Sequence, residues 1–177
     1  TPLLPFLPLT ATQILLNNFL SDLPSMAIST DRVDGKHLKS AQRWNLAEVR
    51  RFMLVFGLIS SLFDLLTFVL LVKVFHAGPA LFHSGWFVVS LLTELAVVLV
   101  LRTRGPAWRS RPSALLAWTT LAVAVLAVAL PFIAPAAHLF GFVAMPAPLV
   151  ATLMAIVLGY VAVTEAAKHW FWRRISR

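Results

Sequence analysis

The chain contains no cysteine, which excludes a disulfide framework and any thiolate metal site. It is also short of charge. Asp, Glu, Lys and Arg make up 12% of the residues, where a soluble domain carries about a quarter. Acid is scarcer than base, with seven Asp and Glu against fifteen Lys and Arg. No glycine-rich phosphate loop, nucleophile elbow or HExxH pair occurs, so nothing here is equipped to hydrolyse ATP or a peptide. The histidines (His37, His76, His83, His138, His169) are scattered without zinc spacing. The net charge of +8 would suit nucleic acid, but the basic residues fall in short segments between apolar runs. They are topology signals, and no nucleic-acid partner is expected.

What is present is apolar surface. Hydrophobic residues are 59% of the 177, and mean hydropathy is +0.84, the values of an integral membrane protein. The whole chain, 1–177, reads as one all-α membrane domain. It is a bundle of five transmembrane helices with short loops, spanning about 9–28, 52–72, 85–101, 114–133 and 149–166. Fourteen of the fifteen Lys and Arg fall in the 31–51 loop, the 102–112 turn and the C-terminal tail. The exception, Lys73, lies at a span edge from which it can snorkel. The positive-inside rule makes those three segments cytoplasmic and the N-terminus external, in a multi-pass protein of the plasma membrane. The segment Ala134 to Pro148 reads as an uncharged loop with three prolines. The chain opens on Thr1-Pro2 without Met or a signal sequence, as an excised part of a longer polypeptide would.

The first span carries the unusual chemistry. Asn18, Ser21 and Asp22 lie within one turn and are expected to project from one side of the helix. Pro24 has no N–H for the Leu20 carbonyl and is expected to break the helix and free that oxygen. A carboxylate, an amide oxygen, a hydroxyl and a backbone oxygen are the hard ligands of Mg²⁺, Ca²⁺ or an alkali cation. A carboxylate at membrane depth is by default a functional site, with Asp22 and Asn18 as the principal metal ligands. Asn17 alone suits a hydrogen bond to a neighbouring helix.

Glu94, central in the third span, is the second intramembrane carboxylate, open to a site role or to a protonated bond with another helix. Asp64 has Ser60 and Ser61 one turn back and suits local hydrogen bonding. Glu165, three before Lys168 and four before His169, reads as part of a surface pair. The Lys168–Arg174 tail mixes aromatic and basic residues like an interfacial anchor.

The run Asn18-Phe19-Leu20-Ser21-Asp22 followed by Pro24 resembles the sixth transmembrane helix of P-type cation-transporting ATPases. The resemblance covers essentially the whole chain. It is closest to the magnesium-transporting branch in Asn17-Asn18, Asp31-Arg32-Val33-Asp34, Arg50–Gly57, Ser84–Val88 and Arg102-Thr103-Arg104. It implies helices six to ten of a ten-helix transporter. Asn18, Ser21 and Asp22 would match helix-six ligands, and Glu94 a Gln or Glu of helix eight. Magnesium-transporting relatives often carry Gln there, so the number of coordinating charges stays open. It implies Mg²⁺ as the transported ion, ATP used only in domains absent here, and helices one to five of the parent pump as partners beside the lipid bilayer. The Asp-Lys-Thr-Gly-Thr phosphorylation motif is absent, so this segment alone is not catalytic. Two other classes stay open: a non-catalytic membrane scaffold or accessory subunit, and a secondary carrier relaying protons through Asp22 and Glu94. The second lacks the other broken helix that inverted repeats provide.

Overall fold

The structure, a computed structural model, describes residues 6–31, 46–103 and 105–175. The basic residues Arg32, Lys36, Lys39, Arg43 and Arg104, with the rest of 32–45 and residues 1–5 and 176–177, lie outside the described residues.

Every regular element among the described residues is helical. The order is α1 (Ala11–Ala27), α2 (Leu46–Val69), α3 (Pro79–Leu101), α4 (Ala114–Ala129), α5 (Ala134–Phe140) and α6 (Ala147–Ile175). Four stretches among the described residues are long and apolar enough to cross a membrane: Leu46–Val74, Pro79–Leu101, Ala114–Phe132 and Ala147–Arg174. The fifth expected crossing is α1, which has 17 residues and continues as a 3₁₀ turn over Ile28–Thr30. Together they extend about 31 Å, close to the ~30 Å thickness of a bilayer core.

Helix ends are set by local chemistry. Pro79 sits in the first turn of α3, where an N–H is not needed, so the helix begins several residues before the expected span. Nothing in 166–175 breaks α6, so the aromatic and basic tail continues the helix. The end of α2 widens over Leu70–Val74, where Phe75 N–H donates to Leu70 O at 3.0 Å and Ala77 N–H to Leu71 O at 2.9 Å.

The expected 134–148 loop is partly wrong. It contains α5, because Pro135 falls in a first turn, and Gly141 (φ 69°) takes the left-handed conformation that closes a helix.

Helix α3 is the centre of the bundle. It packs against α6, α1 and α4, while α2 lies against α6 and the start of α3. With no hydrophobic drive between helices in lipid, close packing holds such a bundle together. Gly85 shows how close: a Cβ there would stand 2.9 Å from Leu71 Cδ2 and 3.5 Å from Leu153 Cδ1. Aromatic rings fill one end, with Phe82 stacked on Trp86 (5.5 Å between centroids) and edge-on to Phe6 and Phe68.

Candidate functional site

Helix α1 starts with a capping box. The Thr10 hydroxyl accepts from Gln13 N–H at 3.4 Å, and Gln13 Oε1 accepts from Thr10 N–H at 2.9 Å. Gln13 is wholly buried and donates Nε2 to Phe140 O at 2.8 Å, tying this end of α1 to α5. From there a packed stripe runs Gln13, Leu16, Leu20, Pro24 and Ala27, the three- and four-residue spacing of one helix face. The helix passes through Pro24 unbroken, contrary to expectation, because a buried proline is held in the stripe by its neighbours. The covalent consequence stands, since no N–H exists at position 24 for Leu20 O to accept.

The polar residues of α1 divide into two groups. Asn18 and Asp22 are exposed, on the side turned away from the stripe, and Asp22 has no partner among the described residues. Ser21 is buried on the stripe, and its hydroxyl donates to Asn18 O at 3.1 Å; Ser25 does the same to Ser21 O at 2.9 Å. The expectation that Asn18, Ser21 and Asp22 share one side is therefore not met. Ser21 is turned about 100° from Asp22, as consecutive helical residues must be.

Glu94 of α3 is exposed, and Asn17 Nδ2 donates to its Oε2 at 3.2 Å. Asn17, half-buried at the edge of the stripe, thus bonds a neighbouring helix, as its residue type suggested. Three contacts show that α1 and α3 run parallel: His83 Nε2 with Leu7 O at 2.8 Å, Asn17 with Glu94, and Asp31 with Arg102. On that register Glu94 stands level with Asn17 and Asn18, and Asp22 lies about one turn further along. Asp64 is exposed on α2 and receives no hydrogen bond from Ser60 or Ser61.

Two ion pairs are buried, a burial not legible in the sequence. Arg102 Nη1 meets Asp31 Oδ2 at 2.8 Å, with the side chains 3% and 7% exposed. Arg102 also donates to Ser110 O, while Asp31 Oδ1 accepts from Ser113 N–H, the N-cap of α4, at 2.8 Å. One ion pair therefore fastens α1, α3 and α4 together. The second corrects an expectation: Glu165 is no surface pair but is buried against a wholly buried Lys168 at 2.9 Å. Glu165 Oε1 also accepts from Ala107 N–H and meets His169 Nε2, both at 3.1 Å, because the 105–109 turn folds over it.

A model of the family described as "Cation transporting ATPase, C-terminus" matches residues 6–170. The chain belongs to this cation-transporting ATPase family. The chain is 43% identical over 176 residues to "Magnesium-transporting ATPase, P-type 1" of Salmonella typhimurium, covering 97% of this chain and 19% of that protein. The protein of that name in Escherichia coli is 42% identical, with 97% and 20% covered. A putative cation-transporting ATPase of Methanocaldococcus jannaschii is 30% identical over 120 residues, covering 67% of this chain and 15% of its own length. The chain thus spans about a fifth of the curated relatives it matches. Among the described residues of this cation-transporting ATPase region, no three His, Asp or Glu side chains cluster.

Proposed function

We propose that this chain is the C-terminal membrane part of an ATP-driven Mg²⁺ transporter. In this reading α1 supplies Asp22 and Asn18 as the principal cation ligands, with Leu20 O as a backbone donor and Glu94 facing the same space from α3. The observation that carries it is the position of Asp22: an exposed carboxylate without a partner among the described residues, within an apolar helix. Facing lipid that group would be costly. Covered by the rest of a pump, it becomes a wall of a cation site. The names of the relatives support Mg²⁺ as the ion. Mg²⁺ sheds water reluctantly, so one wall of few oxygens fits an ion that keeps several waters.

Ser21 has a lesser part in this reading. Its hydroxyl is spent on Asn18 O, so it supports the turn carrying Asn18 and contacts the ion only by rotating away from that bond. ATP hydrolysis belongs to domains outside this chain, and helices one to five would cover the exposed side of α1. The five helices α1, α2, α3, α4 and α6 would each cross the plasma membrane, with 31–51, 102–112 and the C-terminus cytoplasmic and the N-terminal end external, as the basic residues favour.

The test is Asp22→Asn in the full-length protein. Loss of Mg²⁺ uptake with normal membrane insertion is expected. Uptake with an unchanged half-saturating Mg²⁺ concentration removes Asp22 from the site.

A further inference from the structure

We infer that Asn17 is a positioning residue for Glu94: its side-chain amide holds one carboxylate oxygen so that the other is presented to the cation. This rests on the reading above, in which Glu94 faces the ion. The geometry is asymmetric in three respects. Asn17 Nδ2 donates to Glu94 Oε2 at 3.2 Å, and that is the one hydrogen bond Glu94 makes among the described residues. Oε1 is left open on an exposed side chain. Asn17 Oδ1 is sealed from solvent and accepts nothing.

An amide serving only to join helices would use both its donor and its acceptor, since an unmet buried carbonyl is costly. Here the acceptor is forgone and only the donor end, directed at the carboxylate, is used. A free Glu side chain at membrane depth samples many rotamers and would gain by turning toward any donor. A single tether on Oε2 removes most of that freedom and keeps Oε1 at the height of Asn18, one turn from Asp22. Asn17 Nδ2 cannot bind a cation, and Oδ1 is sealed off from the space in front of Glu94, so Asn17 acts through Glu94.

The experiment measures Mg²⁺ uptake against Mg²⁺ concentration in cells expressing the full-length protein, with thermal stability of the purified protein followed in parallel. The variants are Asn17→Ala, Asn17→Gln, Glu94→Ala, the Asn17→Ala/Glu94→Ala double and Asp22→Asn. Asn17→Ala is expected to raise the half-saturating Mg²⁺ about 10-fold, the scale on which loss of a ligand's supporting group acts. Asn17→Gln, which restores an amide, should recover most of it. In the Glu94→Ala background, Asn17→Ala should have no further effect.

An unchanged half-saturating Mg²⁺ in Asn17→Ala, with stability alone reduced, overturns the inference and leaves Asn17 a helix joint. A full Asn17→Ala effect persisting in the Glu94→Ala background also overturns it, by making Asn17 a ligand itself. Should Asn17→Ala fail to reach the membrane, Asn17→Ser is read by the same criteria. The proposed site fails separately: Asp22→Asn then transports normally, whereas failure of the Asn17 assignment alone leaves Asp22→Asn inactive.

Discussion

Lys168 Nζ stands 2.9 Å from Glu165 Oε2 and donates to Val100 O at 2.8 Å, with its side chain 1% exposed. A buried ammonium of this kind is held by its partners and becomes a liability once they are removed. Glu165→Ala is expected to destabilise the protein by about 3–5 kcal/mol, because the lysine charge is left uncompensated. Replacing both members by apolar residues of similar volume, Glu165→Leu with Lys168→Met, should cost less than Glu165→Ala alone. Thermal unfolding in detergent, followed by size-exclusion chromatography, compares the two.

Arg102 uses one guanidinium to reach both Asp31 and Ser110 O. A lysine is a single point charge and cannot span both. Arg102→Lys should keep the ion pair and lose the hold on Ser110, loosening the turn that carries the exposed Arg109 and Arg111. Faster tryptic cleavage within 109–111, without loss of the folded core, is the expected outcome. Equal cleavage rates would show that Ser110 is held by other contacts.

Gly85 faces Leu71 and Leu153 where α3 packs against its neighbours. The nearest atom is the end of a leucine side chain, which can shift, so Gly85→Ala should cost about 1–3 kcal/mol. Gly85→Leu has no such escape and should prevent the bundle from assembling. Expression and melting temperature of the two variants measure the difference.

Pro24→Ala returns an N–H to the middle of α1, where Leu20 O can accept it. Removing a proline from a helix interior is worth up to ~3 kcal/mol, and the variant should melt higher than the parent. If Leu20 O contributes to the cation site, the same change should raise the half-saturating Mg²⁺ in uptake assays. Greater stability with unchanged uptake would remove Leu20 O from the ligand set.

The bundle was legible because a bilayer asks for long apolar helices, and four of them announce themselves by hydropathy alone. Hydropathy does not say how the helix ends are joined. Asp31 and Arg102 are 71 residues apart in sequence, and Asn17 and Glu94 are 77 apart. No local spacing encodes either pair. For Glu165 and Lys168 the spacing was visible and the environment was not, since burial comes from a turn near Ala107. Pro24 was overread as a break because propensity describes an isolated helix, whereas packing carries this one straight through. In 134–148 three prolines argue for a loop, yet Pro135 falls where a helix tolerates it. The oxygen-bearing side chains of α1 are plain from the sequence. Which way they turn is not, and Ser21 shows the difference: three residues from Asn18, it spends its hydroxyl on that residue's carbonyl.

Helix α1 is fixed at both ends, by Gln13 to Phe140 O and by Asp31 to Arg102 and Ser113. A strut clamped in this way cannot slide or swing as a rigid rod. Load applied to it is relieved by bowing at mid-length, where the proline has already removed one rung of the backbone ladder. Asp22 lies between Leu20 and Pro24, inside that missing rung, so any bowing of α1 there moves the carboxylate.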